Sequence, residues 1–153
     1  MMAARKAAPP TPAAKIVLIT LFFLIAGPLI AGPFAIAIIW YFSLPDMSIA
    51  RAIQSGLVVT ALGFWALIPA GAVPALATGL TTGWLEVMRG RADVWAVAGS
   101  GLLFGILWGI VLQYNITEFE SVILGVAVGS LVGSLICWKI VRMARNMRTR
   151  RQA

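Results

Sequence analysis

From Ile16 to Ser43 the chain runs for 28 residues without one charged side chain. A helix of roughly 20 apolar residues crosses the bilayer's hydrocarbon, about 30 Å thick. This run therefore predicts a membrane span with residues to spare. It is also longer than the 7–15-residue apolar core of a secretory signal, which predicts a retained helix rather than a cleaved leader. Three further apolar runs follow, at about 49–85, 94–114 and 119–141. The connections between runs are short, so consecutive helices should be antiparallel. The expected fold class is an all-α integral membrane protein, with four transmembrane helices in two antiparallel hairpins over 15–43, 49–85, 94–114 and 119–141. The sequence lacks the alternating segments of about ten residues that build a β-barrel.

Composition excludes the other broad classes. Hydrophobic residues make up 61% and charged residues 11%, with a mean hydropathy of +0.96. A soluble domain is about 45–50% apolar and about 25% charged, so neither a soluble enzyme nor a disordered chain fits. Residues 1–14 are rich in Ala and Pro and carry Arg5 and Lys6. With Pro9, Pro10 and Pro12 opposing a helix, they are expected to form a flexible basic cytoplasmic arm. Residues 142–153 are expected to form a basic cytoplasmic tail.

The net charge of +7 is unevenly placed. With the N-terminus inside, eleven cations lie inside: Arg5, Lys6, Lys15, Arg89, Arg91, Lys139, Arg142, Arg145, Arg148, Arg150 and Arg151. Arg51 alone lies outside, together with Asp46, Glu118 and Glu120. Short loops rich in Lys and Arg stay cytoplasmic, so both termini are predicted to face the cytoplasm across a bacterial inner membrane. The run Lys139, Arg142, Arg145, Arg148 and Arg151, with Arg150 added, is expected to meet anionic headgroups or a partner. Each such residue near the surface contributes about 1 kcal/mol. No folded reader or interleaved aromatics accompany these charges, so nucleic acid is not an expected partner.

Two kinds of small or breaking residue mark the spans. Gly101, Gly105 and Gly109 fall four residues apart in the third, and Gly125, Gly129 and Gly133 do so in the fourth. Such spacing lines up positions where backbones can approach closely. A fold point at residue 117 sets Gly109 level with Gly125, Gly105 with Gly129 and Gly101 with Gly133, predicting a tightly packed hairpin. In the first hairpin Pro28 and Pro33, and Pro69 and Pro74, each remove a helical hydrogen bond. Pro28 and Pro74 lie about mid-depth. Interrupted helices meeting there would resemble transporter sites built on discontinuous helices, so these four prolines mark a candidate midplane cavity. The long second run is also expected to include a bent or interfacial stretch.

The sequence offers little chemistry. It has no His, one Cys (Cys137) and five acidic residues, none of them at mid-depth. Glu86 is expected to ion-pair within the loop beside Arg89 and Arg91. Asp46 is expected to cap the second helix, and Glu118 and Glu120 to favour the N-terminal dipole of the fourth. No catalytic, cofactor-binding or metal site is predicted, and no cofactor. The expected function is that of an accessory, scaffold or assembly subunit in a larger membrane complex or homo-oligomer, without catalysis. The alternative is a small channel or carrier passing a neutral or weakly polar solute at the proline level.

Overall fold

A computed structural model describes residues 11–44, 46–62, 64–115 and 121–150, with the side chains of 64–70, 115 and 148–150 outside that description. Among the described residues all regular structure is helical: α1 (Pro12–Ser43), α2 (Ile49–Leu62), α3 (Phe64–Met88), α4 (Val94–Asn115) and α5 (Val122–Arg150). Three stretches, Pro12–Ser43, Val94–Tyr114 and Val122–Met147, are long and apolar enough to cross a membrane.

The helix ends correct several expectations. Helix α1 begins at Pro12, three residues before the expected span. Thr11 caps it, its hydroxyl accepting the Ala14 N–H at 3.3 Å. Proline at the first helical positions is favourable, because its missing N–H would have no intrahelical partner there. At the α1–α2 connection Ser48, not Asp46, caps the next helix: its Oγ accepts the Arg51 N–H at 3.4 Å. Asp46 instead takes a left-handed φ of 63° in the turn, a region that Asp tolerates better than most residues. Helix α5 continues through the basic segment to Arg150, so residues 142–150 extend the span rather than form a separate tail. The expected roles of Glu118 and Glu120 lie outside the described residues.

The expected second span, 49–85, is two helices, α2 and α3. Helix α2 has 14 residues, about 21 Å at 1.5 Å per residue, too short to cross the hydrocarbon alone. Its buried positions, Ala52, Gly56 and Thr60, recur once per turn. A Cβ at Gly56 would strike the Pro33 carbonyl of α1, and one at Gly71 of α3 would meet Pro28 Cβ at 3.0 Å. Positions 56 and 71 are fifteen residues apart, whereas the α1 positions they meet, about 35 and 28, are about seven apart. Helix α1 runs unbroken through Pro28 and Pro33, and α3 through Pro69 and Pro74.

Helix α1 is central, packing on α2, α3 and α5, while α4 packs on α5 and α3. The best-buried cluster is Phe23, Ala92, Val97 and Cys137, flanked by Leu85, Trp138 and Val141. It therefore sits toward the α3–α4 connection. At the opposite end Ser121 ties α5 to α1. Its Oγ donates to the Ile39 carbonyl at 3.1 Å and lies 2.5 Å from Ser43 Oγ. With the Ser121 proton given to Ile39, Ser43 is the donor of that second bond. Several hydroxyls inside the helices are satisfied locally: Thr60 donates to the Gly56 carbonyl at 2.7 Å, Thr82 to Thr78 at 2.8 Å and Ser134 to Ser130 at 2.6 Å, whereas the buried Thr20 and Thr78 hydroxyls have no partner among the described residues. Local satisfaction is what an apolar surrounding demands of a polar group.

Candidate functional site

A polar concavity lies where the end of α3, the start of α4 and the end of α5 converge. Helix α3 stops at Met88, and Gly90 turns the chain with φ 69°, a conformation that glycine adopts at little cost. Asp93 then caps α4, its Oδ1 accepting the Trp95 N–H at 3.4 Å. The hub of this connection is the Glu86 carboxylate. One oxygen accepts the Ala92 N–H at 2.9 Å, and the other pairs with Arg145 of α5 at 3.1 Å. Arg145 also donates to the Gly90 carbonyl, and the indole N–H of Trp138 donates to the Ala92 carbonyl at 3.0 Å. The loop is thus fastened to α5 at three points. Among the described residues the ionic partner of Glu86 is Arg145, 59 positions away, and not the neighbouring Arg89 or Arg91 expected from sequence.

Around this hub opens a groove of about 630 Å³, lined by Glu86, Arg89, Arg91, Asp93, Trp138, Arg142, Arg145 and Asn146, with Ala92 and Val94 beside them. Four arginines against two carboxylates give the lining a net charge of +2. Arg145 is committed to Glu86. The Arg142 guanidinium lies over the Trp138 ring, 5.1 Å from its centroid, a cation–π placement. Among the described residues no carboxylate lies within 4 Å of Arg89, Arg91 or Arg142.

Of the predicted basic contacts, Arg142 and Arg145 line the groove, while Lys139 is exposed beside it. The side chains of Arg148 and Arg150, and all of Arg151, lie outside the described residues. Sequence reasoning missed the contributions of Arg89, Arg91 and Trp138. The four-residue spacing of Trp138 and Arg142 was the available signal, since it places both on one helix face.

The glycines take a different arrangement from two trios facing each other. A Cβ at Gly105 would lie 2.8 Å from Ser130 Cβ and 2.9 Å from Ala127 Cα. One at Gly109 would lie 2.8 Å from Ile123 Cα, and Gly101 abuts Ser134. The α5 trio turns instead to α1. Cβ atoms at Gly125 and Gly129 would lie 2.8 Å and 3.0 Å from the Ala35 and Ala31 carbonyls, and one at Gly133 would lie 3.0 Å from Ala31 Cβ. Level with one another, the two trios serve different neighbours. Helix α5 needs close approach on two faces, and its small residues Ala127, Ser130 and Ser134 supply the second.

At the proline level Pro28 and Pro74 line a cavity of about 30 Å³ with Gly27, Gly71, Ser130 and Ser134. That is room for two or three waters, since about 10–15 Å³ of such volume holds one. Pro33 packs against Gly56 instead, and the Pro69 side chain lies outside the described residues. Comparison with protein-family models, with curated proteins and with solved structures found no match.

Proposed function

We propose that this chain is a small polytopic protein of the bacterial inner membrane, serving without catalysis as an accessory, scaffold or assembly subunit. In this reading it crosses the bilayer four times with both termini cytoplasmic. Helices α1, α4 and α5 each make one crossing, and α2 and α3 share the fourth. The observation that carries the proposal is the contrast between interior and exterior. At the proline level the opening lined by the described residues is about 30 Å³, while large apolar side chains such as Ile25, Leu29, Leu103 and Leu107 point outward, half exposed. A bundle this narrow at the proline level, among the described residues, and apolar outside is built to meet lipid and other helices. A conduit would need a wider path at that level.

Glycine-lined faces of α4 and α5 hold the bundle together in this account, and the outward faces are left for a larger complex or a second copy. The inner end carries the basic cluster that contacts anionic headgroups. The test is to express the chain at native level, extract it in mild detergent and separate it on a native gel. The expected result is migration in one defined species well above its own 16.3 kDa, with no solute flux from the purified protein in liposomes. A flux abolished by Pro74→Ala alone would replace this reading with that of a channel or carrier.

A further inference from the structure

We propose that the arginine groove is a binding site for one phospholipid headgroup carrying two phosphodiester charges. The proposal deepens the reading above, because it rests on the chain being embedded in a bilayer. Three guanidiniums are available there, those of Arg89, Arg91 and Arg142, and the remaining carboxylate, that of Asp93, is engaged in capping α4. Planar guanidinium forks match phosphate oxygens two bonds at a time. Three arginines with Asp93 leave a net +2, which two phosphodiester charges neutralise. The volume of about 630 Å³ falls within the range of roughly 300–1,000 Å³ typical of small-molecule sites.

The surroundings select a lipid over a soluble phosphate compound. Val94 and Trp138 form the apolar side of the groove. Met88 and Trp95, adjacent in sequence to the lining residues Arg89 and Val94, are 65% and 80% exposed. A charged concavity bordered by outward tryptophan and methionine suits an amphiphile with its phosphates inward and its chains along the helices. Basic pockets between membrane helices bind such headgroups. The Glu86–Arg145 pair contributes by holding the α3–α4 connection against α5, which keeps Arg89 and Arg91 on the same rim as Arg142.

The test uses the full chain in nanodiscs of phosphatidylcholine with added diphosphatidylglycerol or phosphatidylglycerol, and reads retained lipid by native mass spectrometry after release into detergent. One diphosphatidylglycerol per chain is expected, half-saturating roughly tenfold below phosphatidylglycerol. The double variant R89Q/R142Q should weaken this about tenfold while its melting temperature in lipid-free detergent stays that of the parent. R89K/R142K, which keeps the charge and loses the fork, should fall between. Arg51→Gln, far from the groove, should match the parent. Equal retention by R89Q/R142Q, or no preference between the two anionic lipids, overturns the proposal. Displacement of the lipid by an equal concentration of inorganic pyrophosphate would do the same, and would assign the groove to a soluble phosphate ligand. Insertion into nanodiscs without selectivity defeats the groove alone. Failure to insert defeats the membrane reading together with it.

Discussion

The packing of α5 on α1 can be tested by exchanging one methyl group between them. A Cβ added at Gly133 would lie 3.0 Å from Ala31 Cβ, 3.3 Å from the Gly27 carbonyl and 3.6 Å from Ala31 Cα. Carbon pairs are best separated by about 3.5–4.0 Å, so Gly133→Ala must push the helices apart by about half an ångström at that level. Overpacking of this kind costs about 1–3 kcal/mol. Replacing a mid-helix glycine with alanine returns about 1 kcal/mol of helix propensity, leaving a net loss on the order of 1 kcal/mol. Ala31→Gly alone should lose a similar amount through propensity. Combined, the two changes restore the original volume, because the 3.0 Å contact disappears. The double variant, with its propensity changes cancelling and its overpacking gone, should then be about 2 kcal/mol more stable than the sum of the singles. Equilibrium unfolding of the four chains in mixed micelles, followed by circular dichroism, gives the coupling directly. If Gly133 faced the glycines of α4 instead, Ala31 would be a bystander and the changes would add within about 0.3–0.5 kcal/mol. That additive result would refute the assignment.

Three smaller perturbations probe the ends of the bundle. Glu86→Ala should destabilise the chain by about 1–2 kcal/mol through the orphaned Ala92 N–H. Glu86→Gln, which can still accept that bond, should cost less than about 1 kcal/mol and respond weakly to salt, since the 55% exposed Arg145 side chain is well screened. Gly90→Ala meets nothing within 4 Å, so its expected loss of about 1–2 kcal/mol is purely conformational; Gly90→Asn should cost less, and thermal melting compares the two. Ser121→Ala removes bonds to the Ile39 carbonyl and Ser43, and should lower stability by about 1 kcal/mol. It should also speed hydrogen exchange at the start of α5.

The approximate positions of α1, α4 and α5 and the α4–α5 register were readable from sequence because apolar length and turn position are one-dimensional quantities, whereas the run 49–85 was not resolved into α2 and α3. The fold point at 117 places Gly105 level with Gly129, and the contacts of Gly105 with Ala127 and Ser130 match that level. Which neighbour each face meets was not readable, because four-residue spacing defines a stripe on a helix without naming what it touches. A signal was nevertheless present. Gly27, Ala31 and Ala35 repeat the spacing of Gly133, Gly129 and Gly125, and those are the positions that meet. The prolines misled in the opposite way. Losing one hydrogen bond at Pro28 does not end a helix flanked by tightly packed neighbours: α1 continues through Pro28 and Pro33, and α3 through Pro69 and Pro74. The groove was half legible. Its charges were visible as a topological signal, but the Glu86–Arg145 pair spans 59 positions, and only the folded chain brings Arg89 beside Arg142.

If α2 and α3 share one crossing, as proposed, the groove and both termini lie on the cytoplasmic side. Single cysteines at Asp46, Arg91, Tyr114 and Asn146, placed on a Cys137→Ala background, test it with a membrane-impermeant maleimide. The account predicts labelling of positions 46 and 114 in intact spheroplasts, and of positions 91 and 146 only after permeabilisation. Were α2 and α3 to cross separately, position 91 would change sides. Labelling of position 91 from outside, with position 46 also reactive, would contradict the account.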